Sequence, residues 1–452
     1  MEKLDILNRD AFVEELIQLT ENIANNKKTT SFAIDGDWGC GKSFVLDMFE
    51  EKLAEIQSEE TATDKYFIVR YNCWKYDYYE EPLIAIVAAI LDVINEKTSV
   101  LTPEQSEKVK GILKAVGATL LSMANSAVKA ATNIDFGAAI DVVRSGLKAG
   151  KEQYEKMQSY DIYFSFNQAL QSLRDAISQI SNEYTMVFLI DELDRCLPEY
   201  AIKVLERLHH LTENETGIIS IIAIDKKQLK DSVRHIFGFN NPDDYLKKFI
   251  HFTVPLNVGT LSEKITEKYC DYISLFDQNL IPITDSLEEF MQAIFKKIDA
   301  RTQEQIFLRT SILHKLLYDS PKDYTFMCME LLIAVLKTCY RDIKKFTTWF
   351  NPTFNLVEGD KKEPPFASFF EEKFKNLHYK RSVERINNSK TFYAFTSTTS
   401  LYSAIAYMWF SAFFGAHPGN VILSIDNTEL LEKLRYNVTE LKQFADMIHL
   451  IK

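Results

Sequence analysis

The segment Gly36–Ser43 constrains what this chain can fold into more than any other part of it. It reads Gly-Asp-Trp-Gly-Cys-Gly-Lys-Ser and fits the pattern G-x-x-x-x-G-K-[ST] in full. The apolar run Thr30–Asp35 precedes it and predicts a short buried strand, and a helical pattern over Lys42–Leu53 follows it. A chance glycine-rich turn is the alternative, but the order of strand, loop and helix favours a phosphate-binding loop.

The residue types in the loop suit the phosphates of a nucleotide. Glycines let backbone N–H groups turn inward without Cβ clashes, and the helix that follows directs the positive end of its dipole at the same anion. Lys42 is expected to reach the β- and γ-phosphates of ATP and to act in catalysis, and the Ser43 hydroxyl is expected to bind Mg²⁺. The predicted nucleotide-binding residues are Gly36, Asp37, Trp38, Gly39, Cys40, Gly41, Lys42, Ser43 and Phe44, together with Asp225 farther along the chain.

A second apolar run, Thr185–Ile190, ends in two acidic residues. In enzymes with this kind of phosphate loop the acid at a strand end helps to hold Mg²⁺, so Asp191 is a predicted metal ligand. Glu192 is suited to act as the general base that polarises the attacking water. Acids often open loops for structural reasons, and only the phosphate loop upstream favours the catalytic interpretation. Asp194 and Arg195 either form a structural ion pair or orient the base.

Strands alternate with helices up to about Pro255. The predicted strands are Thr30–Asp35, Tyr66–Tyr71, Thr185–Ile190, Gly217–Ile224 and His251–Val254, and helical patterns cover Asp10–Asn25, Lys42–Leu53, Leu83–Ile94, Phe164–Ile180 and Glu199–Leu211. This alternation predicts an α/β fold with a parallel sheet covered by helices on both faces, and the rest of the chain is mainly helical. The predicted organisation is a core of residues 1–95 and 161–255, a helical insertion at 96–160, a helical lid at 256–350 and a mainly helical module at 351–452.

The charge of the chain argues against indiscriminate nucleic-acid binding. The net charge is −12, so the chain gains little from releasing the counterions of a phosphate backbone. One basic cluster supports a nucleic-acid-associated motor, although a solvated helix face explains that cluster more simply. Its members are Lys373, Lys375, Lys380, Arg381 and Arg385.

Cysteine usage and hydropathy indicate the compartment. The N-terminus has no apolar signal region, and the six cysteines are scattered without a C-x-x-C pair, as in a reduced cytosolic protein. The apolar segments Ala115–Val128 and Leu401–Ala416 are shorter than the roughly 20 residues that a spanning helix needs. A cytoplasmic protein without a membrane span is therefore expected.

Three motifs occur in an order that is typical of one family. The loop Gly36–Ser43 is close to GxWGxGKT, and Tyr71–Tyr76 reads YNCWKY, which is similar to FNPW-x-Y with Cys73 where proline is usual. The segment Ile190–Cys196 reads IDELDRC, which is similar to IDDLDRC with Glu192 in place of the second Asp. With these motifs the chain resembles the KAP family of P-loop NTPases, a group within the STAND-like branch of the additional-strand class.

Three later segments extend the resemblance, which covers roughly Leu4–Phe350. Ala223–Asp225, Tyr245–Ile250 and Tyr340–Phe346 are similar to the family's sensor strand, its YLEK-like element and its helical NPR-x-hK-R element, the last without the Asn-Pro pair. The resemblance implies that the sensor strand lies between the strand before the phosphate loop and the strand before the acidic pair. It also implies that Arg341, on a helical lid, reads the γ-phosphate. A surface arginine in an i,i+4 pair is the alternative.

The resemblance also implies a function. Family members bind and hydrolyse Mg-ATP, and bacterial relatives are associated with phage exclusion and defence operons. This favours a nucleotide-dependent switch that works in a multiprotein assembly or a homo-oligomer. Asp225 would lie at the tip of the sensor strand, but an ionised acid cannot donate a hydrogen bond, so its role stays open. A nucleotide-binding scaffold with little hydrolysis and a nucleic-acid-associated motor remain the alternatives.

Overall fold

The chain folds into two units, one of Asp10–Asn257 and one of Met1–Arg9 together with Val258–Lys452. The computed structural model describes residues 5–59, 66–79, 81–96, 103–123, 159–213, 215–257, 264–277, 286–340, 366–375, 393–395, 401–402, 404–405, 408, 421–423 and 428–448. The phosphate loop and the acidic pair that follows the third predicted strand belong to the first unit.

Five parallel strands form the sheet of the first unit. They are β1 (Thr30–Asp35), β2 (Tyr66–Asn72), β3 (Thr185–Asp191), β4 (Ile218–Ile224) and β5 (Phe252–Pro255). Their order across the sheet is β2-β3-β4-β1-β5, so the sensor strand β4 lies between β1 and β3, as predicted. Every residue of β4 is buried, because strands pair with both of its edges and helices cover both of its faces.

Alternate residues of the strands pack into two separate cores. On β3, Phe188 and Ile190 belong to one hydrophobic cluster, and Val187 and Leu189 belong to the other. One face is covered by α1 (Asp10–Asn25) and α2 (Lys42–Glu59), and the other by α3 (Pro82–Glu96), α4 (Pro103–Met123), α5 (Ser159–Ser181), α6 (Pro198–Thr212), α7 (Lys226–Phe237) and α8 (Pro242–Leu246). The predicted α/β fold, a parallel sheet with helices on both faces, is confirmed.

Helices dominate the described part of the second unit. They are α9 (Ile265–Lys268), α10 (Cys270–Ile273), α11 (Leu287–Ile294), α12 (Ala300–Leu317), α13 (Tyr324–Val335), α14 (Ala367–Lys375) and α15 (Thr428–Met447), with a π-helical turn at Leu336–Tyr340. Two short parallel pairs accompany them, β6 (Phe276–Asp277) with β7 (Lys322–Asp323) and β8 (Tyr393–Phe395) with β9 (Val421–Leu423). The sequence did not predict these strands, because two or three residues are too few to display a period of two.

The domain boundaries drawn from the sequence remain predictions. Within the predicted insertion 96–160, α4 packs through Leu113 and Val116 into the same cluster as β3. Among the described residues, those of the predicted lid and of the C-terminal module share one hydrophobic cluster, which includes Leu332 from the first and Leu441 from the second.

None of the helices in the described ranges is long and apolar enough to cross a membrane. Of the two apolar segments, residues 115–123 form the end of α4, whereas residues 124–128 and most of Leu401–Ala416 lie outside the described part. All six cysteines are free thiols, as the sequence predicts.

Candidate nucleotide-binding site

The loop between β1 and α2 has the backbone that its glycines predict. Gly39 and Gly41 adopt φ values of 84° and 93°, a region that glycine reaches without strain. Gly36 approaches its neighbours closely, since a Cβ there would lie 2.6 Å from Cys40 Sγ and 3.0 Å from the Leu256 carbonyl oxygen. A side chain at position 36 would therefore deform the loop.

Lys42 opens α2, and its ammonium group lies against the loop. Its Nζ donates hydrogen bonds to the carbonyl oxygens of Gly36 and Asp37, at 2.6 and 3.3 Å. It also lies 3.8 Å from Asp194 Oδ2, and its side chain is mostly buried. The Lys42 ammonium group, which is predicted to contact the phosphates, therefore lies beside the loop backbone that is predicted to bind them.

The side chains of Ser43, at the start of α2, and Asp191, at the end of β3, contact each other. The Ser43 hydroxyl donates to Asp191 Oδ1 at 3.1 Å, and Arg70 pairs with Asp191 Oδ2 at 2.7 Å. Burial raises the pKa of Asp191, while the Arg70 guanidinium and the Ser43 hydrogen bond act in the opposite direction. Arg70 also reaches Asp47 on α2, at 3.2 Å, and so ties β2 to the helix that follows the phosphate loop.

The two predicted metal ligands fit Mg²⁺. A hydroxyl and a carboxylate supply hard oxygen atoms, and Mg²⁺ is usually held by one or two side chains together with phosphate oxygens and water. Among the described residues, no group of three or more His, Cys, Asp or Glu side chains is arranged to hold a metal. Ser43 Oγ and Asp191 Oδ1, which lie 3.1 Å apart, are of the donor type that Mg²⁺ takes, and their role as its ligands stays a prediction.

Glu192 follows directly and has a left-handed backbone, with φ 58° and ψ 26°. This conformation is uncommon outside glycine and is typical of positions that the surrounding structure holds in place. Both carboxylate oxygens have partners, since Oε2 accepts from Asn72 Nδ2 at 2.9 Å and Oε1 pairs with Arg195 at 2.6 Å. The Arg195 guanidinium also lies over the Trp74 ring, 5.8 Å from its centroid. Of the two roles left open for Arg195, contact with the candidate base is the one observed.

Asp225 lies at the end of β4, but its carboxylate caps α7. Oδ1 accepts from the backbone N–H groups of Lys227 and Gln228, at 3.0 and 3.3 Å. Its own N–H donates to Asp194 Oδ2 at 3.1 Å. A contact between Asp225 and nucleotide stays a prediction. The carboxylate that would make this contact is already bonded to the first turn of α7.

The structure gives the positions of some of the other predicted site residues, and others lie outside the described residues. Trp38 is half-exposed, Cys40 is buried, and Phe44 lies in the first turn of α2. Arg341 lies outside the described residues, so its role stays a prediction. Of the basic cluster, only the side chain of Lys373 is described, and it pairs with Glu289 at 2.8 Å.

Two residues of the site, Arg70 and Asn72, had no role predicted from the sequence, and one contact was missed. Arg70 is a charged residue within the apolar strand YFIVRY. A charge in a buried strand needs a partner, and this pattern is the signal that could have identified it. Asn72 ends β2 in register with Asp191, so the rule that parallel strands end at one edge would have placed it near the acidic pair. The bond from Trp38 Nε1 to Asp194 Oδ2, 2.7 Å long, has no sequence signal.

Comparison with known proteins gives a family match for the chain. The model of the KAP family P-loop domain matches residues 9–282, more than half of the chain. The structure titled "Structure of the Aeropyrum Pernix ORC2 protein (ADPNP-ADP complexes)" aligns at 11% identity, covers 99% of this chain and 94% of that chain, and has a TM-score of 0.34. The ADP form of the same protein also aligns at 11% identity, covers 100% and 95%, and has a TM-score of 0.36. These scores are too low to carry an argument. No curated protein matches the chain.

Proposed function

Because the chain belongs to the KAP family of P-loop NTPases, we propose that it binds Mg-ATP in the loop Gly36–Ser43 and hydrolyses it. The observation that carries this proposal is the 3.1 Å hydrogen bond between Ser43 Oγ and Asp191 Oδ1, with Glu192 as the next residue. It brings the hydroxyl of the phosphate loop, the buried acid of β3 and a second carboxylate to one edge of the sheet.

Each proposed step uses a residue of this chain. Lys42 and the N-terminus of α2 bind the phosphates through charge and through backbone N–H groups. Ser43 and Asp191 are the side chains that would hold Mg²⁺, which neutralises charge on the β- and γ-phosphate oxygens when it is bound. Glu192 accepts a proton from the water that attacks the γ-phosphate.

The partners of Glu192 support a second candidate function. Asn72 and Arg195 each occupy one acceptor site of its carboxylate and so fix its orientation, and it can accept a proton from water only through a remaining lone pair that faces the water. A chain in which these contacts leave no such lone pair facing the water would bind nucleotide and hydrolyse it very slowly. This is the scaffold alternative, and the measured turnover number separates it from the ATPase.

We further propose that nucleotide state controls an assembly of this chain with itself or with protein partners. Arg341, which follows the strands of the sheet in the sequence, is the proposed sensor of the γ-phosphate. A bacterial anti-phage role belongs to the same proposal and is supported by the family resemblance alone. Survival of phage-challenged cells that carry the wild-type chain or a Glu192→Gln chain is the direct measurement of that role.

The test of the enzymatic proposal is a turnover assay on the whole chain. Phosphate release from ATP is followed with Mg²⁺ and with excess EDTA, alone and with the products of neighbouring genes, and calorimetry gives the affinity for ATP. We expect Mg²⁺-dependent turnover that EDTA abolishes. Binding without turnover in every mixture would favour the scaffold, and the absence of binding would contradict both functions.

A further inference from the structure

Asp194 has contacts that the proposed binding and base roles do not use. Its Oδ2 accepts a hydrogen bond from Trp38 Nε1 at 2.7 Å and another from the Asp225 N–H at 3.1 Å. The same oxygen lies 3.8 Å from Lys42 Nζ. One carboxylate oxygen therefore joins the phosphate loop, the start of α2 and the end of the sensor strand β4.

The turn after β3 brings Asp194 to this position. The left-handed backbone of Glu192 leads into the 3₁₀ turn Leu193–Arg195, which is closed by a hydrogen bond from the Arg195 N–H to the Glu192 carbonyl at 3.2 Å. Leu193 is fully buried and anchors the turn in the core. The direction of Asp194 is thus set by the same turn that sets the direction of the candidate base.

A buried carboxylate is costly unless donors or opposite charges compensate it. The Asp194 side chain is only 2% exposed, and it has two N–H donors and a nearby ammonium group. Trp38, in contrast, is 52% exposed, so packing alone holds its ring weakly. The charge-assisted bond to Asp194 is the contact that fixes the indole and, with it, the tip of the loop.

We infer that Asp194 is a positioning residue for nucleotide binding, which holds Trp38 and so keeps the loop Gly36–Ser43 in its phosphate-binding shape. The inference rests on the proposed function, because it assigns a role within the same site. The loop surrounds phosphates that ATP and ADP share. Loss of this contact should therefore weaken the binding of ATP and ADP by a similar factor and raise KM by more than it lowers kcat.

The experiment combines Asp194→Ala, Trp38→Phe and the double variant in the whole chain. Calorimetry gives Kd for Mg-ADP and for a slowly hydrolysed Mg-ATP analogue, and steady-state kinetics give kcat and KM. We expect each single variant to raise both Kd values by about tenfold, the range for a hydrogen bond to a charged group. The double variant should bind nucleotide no more weakly than the weaker-binding single variant, because Asp194→Ala already removes the contact that Trp38→Phe removes. Asp231→Ala, at an exposed residue of α7 that pairs with Arg234, is the matched control.

Different results overturn the inference in different ways. Wild-type affinity in both single variants would make Asp194 a structural residue of the turn. Tighter binding in Asp194→Ala would mean that its charge mainly repels the phosphates, and additive losses would mean that the two residues act separately. If Asp194→Ala fails to fold, Trp38→Phe still decides the matter, since that ring is half-exposed. A wild-type chain that binds no nucleotide contradicts the proposed function itself, whereas the other outcomes leave it intact.

Discussion

The two units of this protein bury charge in different settings. In Asp10–Asn257 the buried acids lie where parallel strands end, and Asp191 meets a hydroxyl from the phosphate loop and an arginine from β2. In the second unit Glu330 is completely buried in the middle of α13. It accepts a hydrogen bond from the Tyr272 hydroxyl at 3.0 Å and lies 3.0 Å from His314 Nδ1.

The neighbours of Glu330 extend the contrast. Lys322 pairs with Glu440 at 2.8 Å, and Asn437 donates to Asp323 at 2.9 Å, so these contacts join the α13 region to α15. Charges at the strand ends come together because the topology gathers them at one edge, where a ligand can bind. Charges within the helical core instead join helices that are distant in sequence. We therefore expect the first group to control activity and the second to control stability.

The largest expected effect is on turnover. Replacement of Glu192 by Gln leaves one oxygen acceptor for Asn72 or Arg195, places an amide NH2 opposite the other donor, and removes the proposed base. ATP turnover should fall by about a hundredfold or more, while nucleotide affinity and thermal stability stay close to those of the wild type. Phosphate release and calorimetry measure both quantities, and Glu199→Gln, at an exposed residue of α6, is the control. Near wild-type turnover would show that Glu192 is not the base.

Next in size is the effect on affinity. Lys42→Ala should weaken Mg-ATP binding by about a hundredfold, because in the proposed function the ammonium group would make charge-assisted contacts to two phosphates. The fold should persist, since the contacts of Lys42 with other described residues are with two loop carbonyls and with Asp194. Lys52→Ala, later on the same helix, removes surface ion pairs to Asp10 and Glu14 and should leave affinity unchanged. Equal affinities of the wild-type chain and the Lys42 variant would contradict the phosphate-loop assignment.

A smaller effect is expected at Asn72. Its amide donates to one oxygen of Glu192, and its side-chain carbonyl accepts from the Lys75 N–H at 2.9 Å, so it orients the proposed base. Asn72→Ala should reduce kcat by about tenfold and leave KM nearly constant, since one hydrogen bond to a charged group is lost. If turnover instead rises, the Asn72 contact restrains the base. That result would support the scaffold alternative, in which the contacts of Glu192 keep hydrolysis slow. Asn182→Ala, on the surface after α5, serves as the control.

The smallest expected effect concerns the stability of the second unit. Burial raises the pKa of Glu330, against the opposing influence of His314, Tyr272 and Lys322. The folded state therefore holds this proton more tightly than the unfolded state. The contribution of this proton to the free energy of unfolding is complete below the pKa of about 4.3 that Glu330 has in the unfolded chain. It is lost as pH rises towards the pKa of the folded state, by at most about 1.4 kcal/mol per pH unit.

Glu330→Gln should remove this pH dependence and leave ATP affinity unchanged. The measurement is urea denaturation followed by circular dichroism in steps upward from pH 4.5, with Glu304→Gln as control, since that residue is exposed and pairs with Lys268. A stability difference between wild type and the Glu330 variant that is constant with pH would show that Glu330 does not change protonation across this range. An effect of Glu330→Gln on nucleotide binding would contradict the expectation that buried charges of the second unit control stability and not activity.

Local patterns in the sequence determined the elements of this protein. Helix α1 has the bounds that its apolar spacing predicts, and β1 also has its predicted bounds, because a helical period and an apolar run ending in a glycine-rich loop are both readable over a few residues. The phosphate loop and the acidic pair were also identified from sequence. Their residue types and spacing follow from what a phosphate and Mg²⁺ require of nearby atoms.

Only the tertiary structure decided which side chains meet. Arg70 pairs with Asp191, and Asn72 with Glu192, because β2 and β3 are adjacent in the sheet, although about 120 residues separate them in the chain. Asp225 caps α7, and its N–H meets the same oxygen of Asp194 that binds Trp38. Such contacts depend on strand order and on the path of a left-handed turn, neither of which changes the local periodicity of the sequence. The chemistry of the site could thus be read from residue types, whereas its positioning contacts arise from the packing of distant segments.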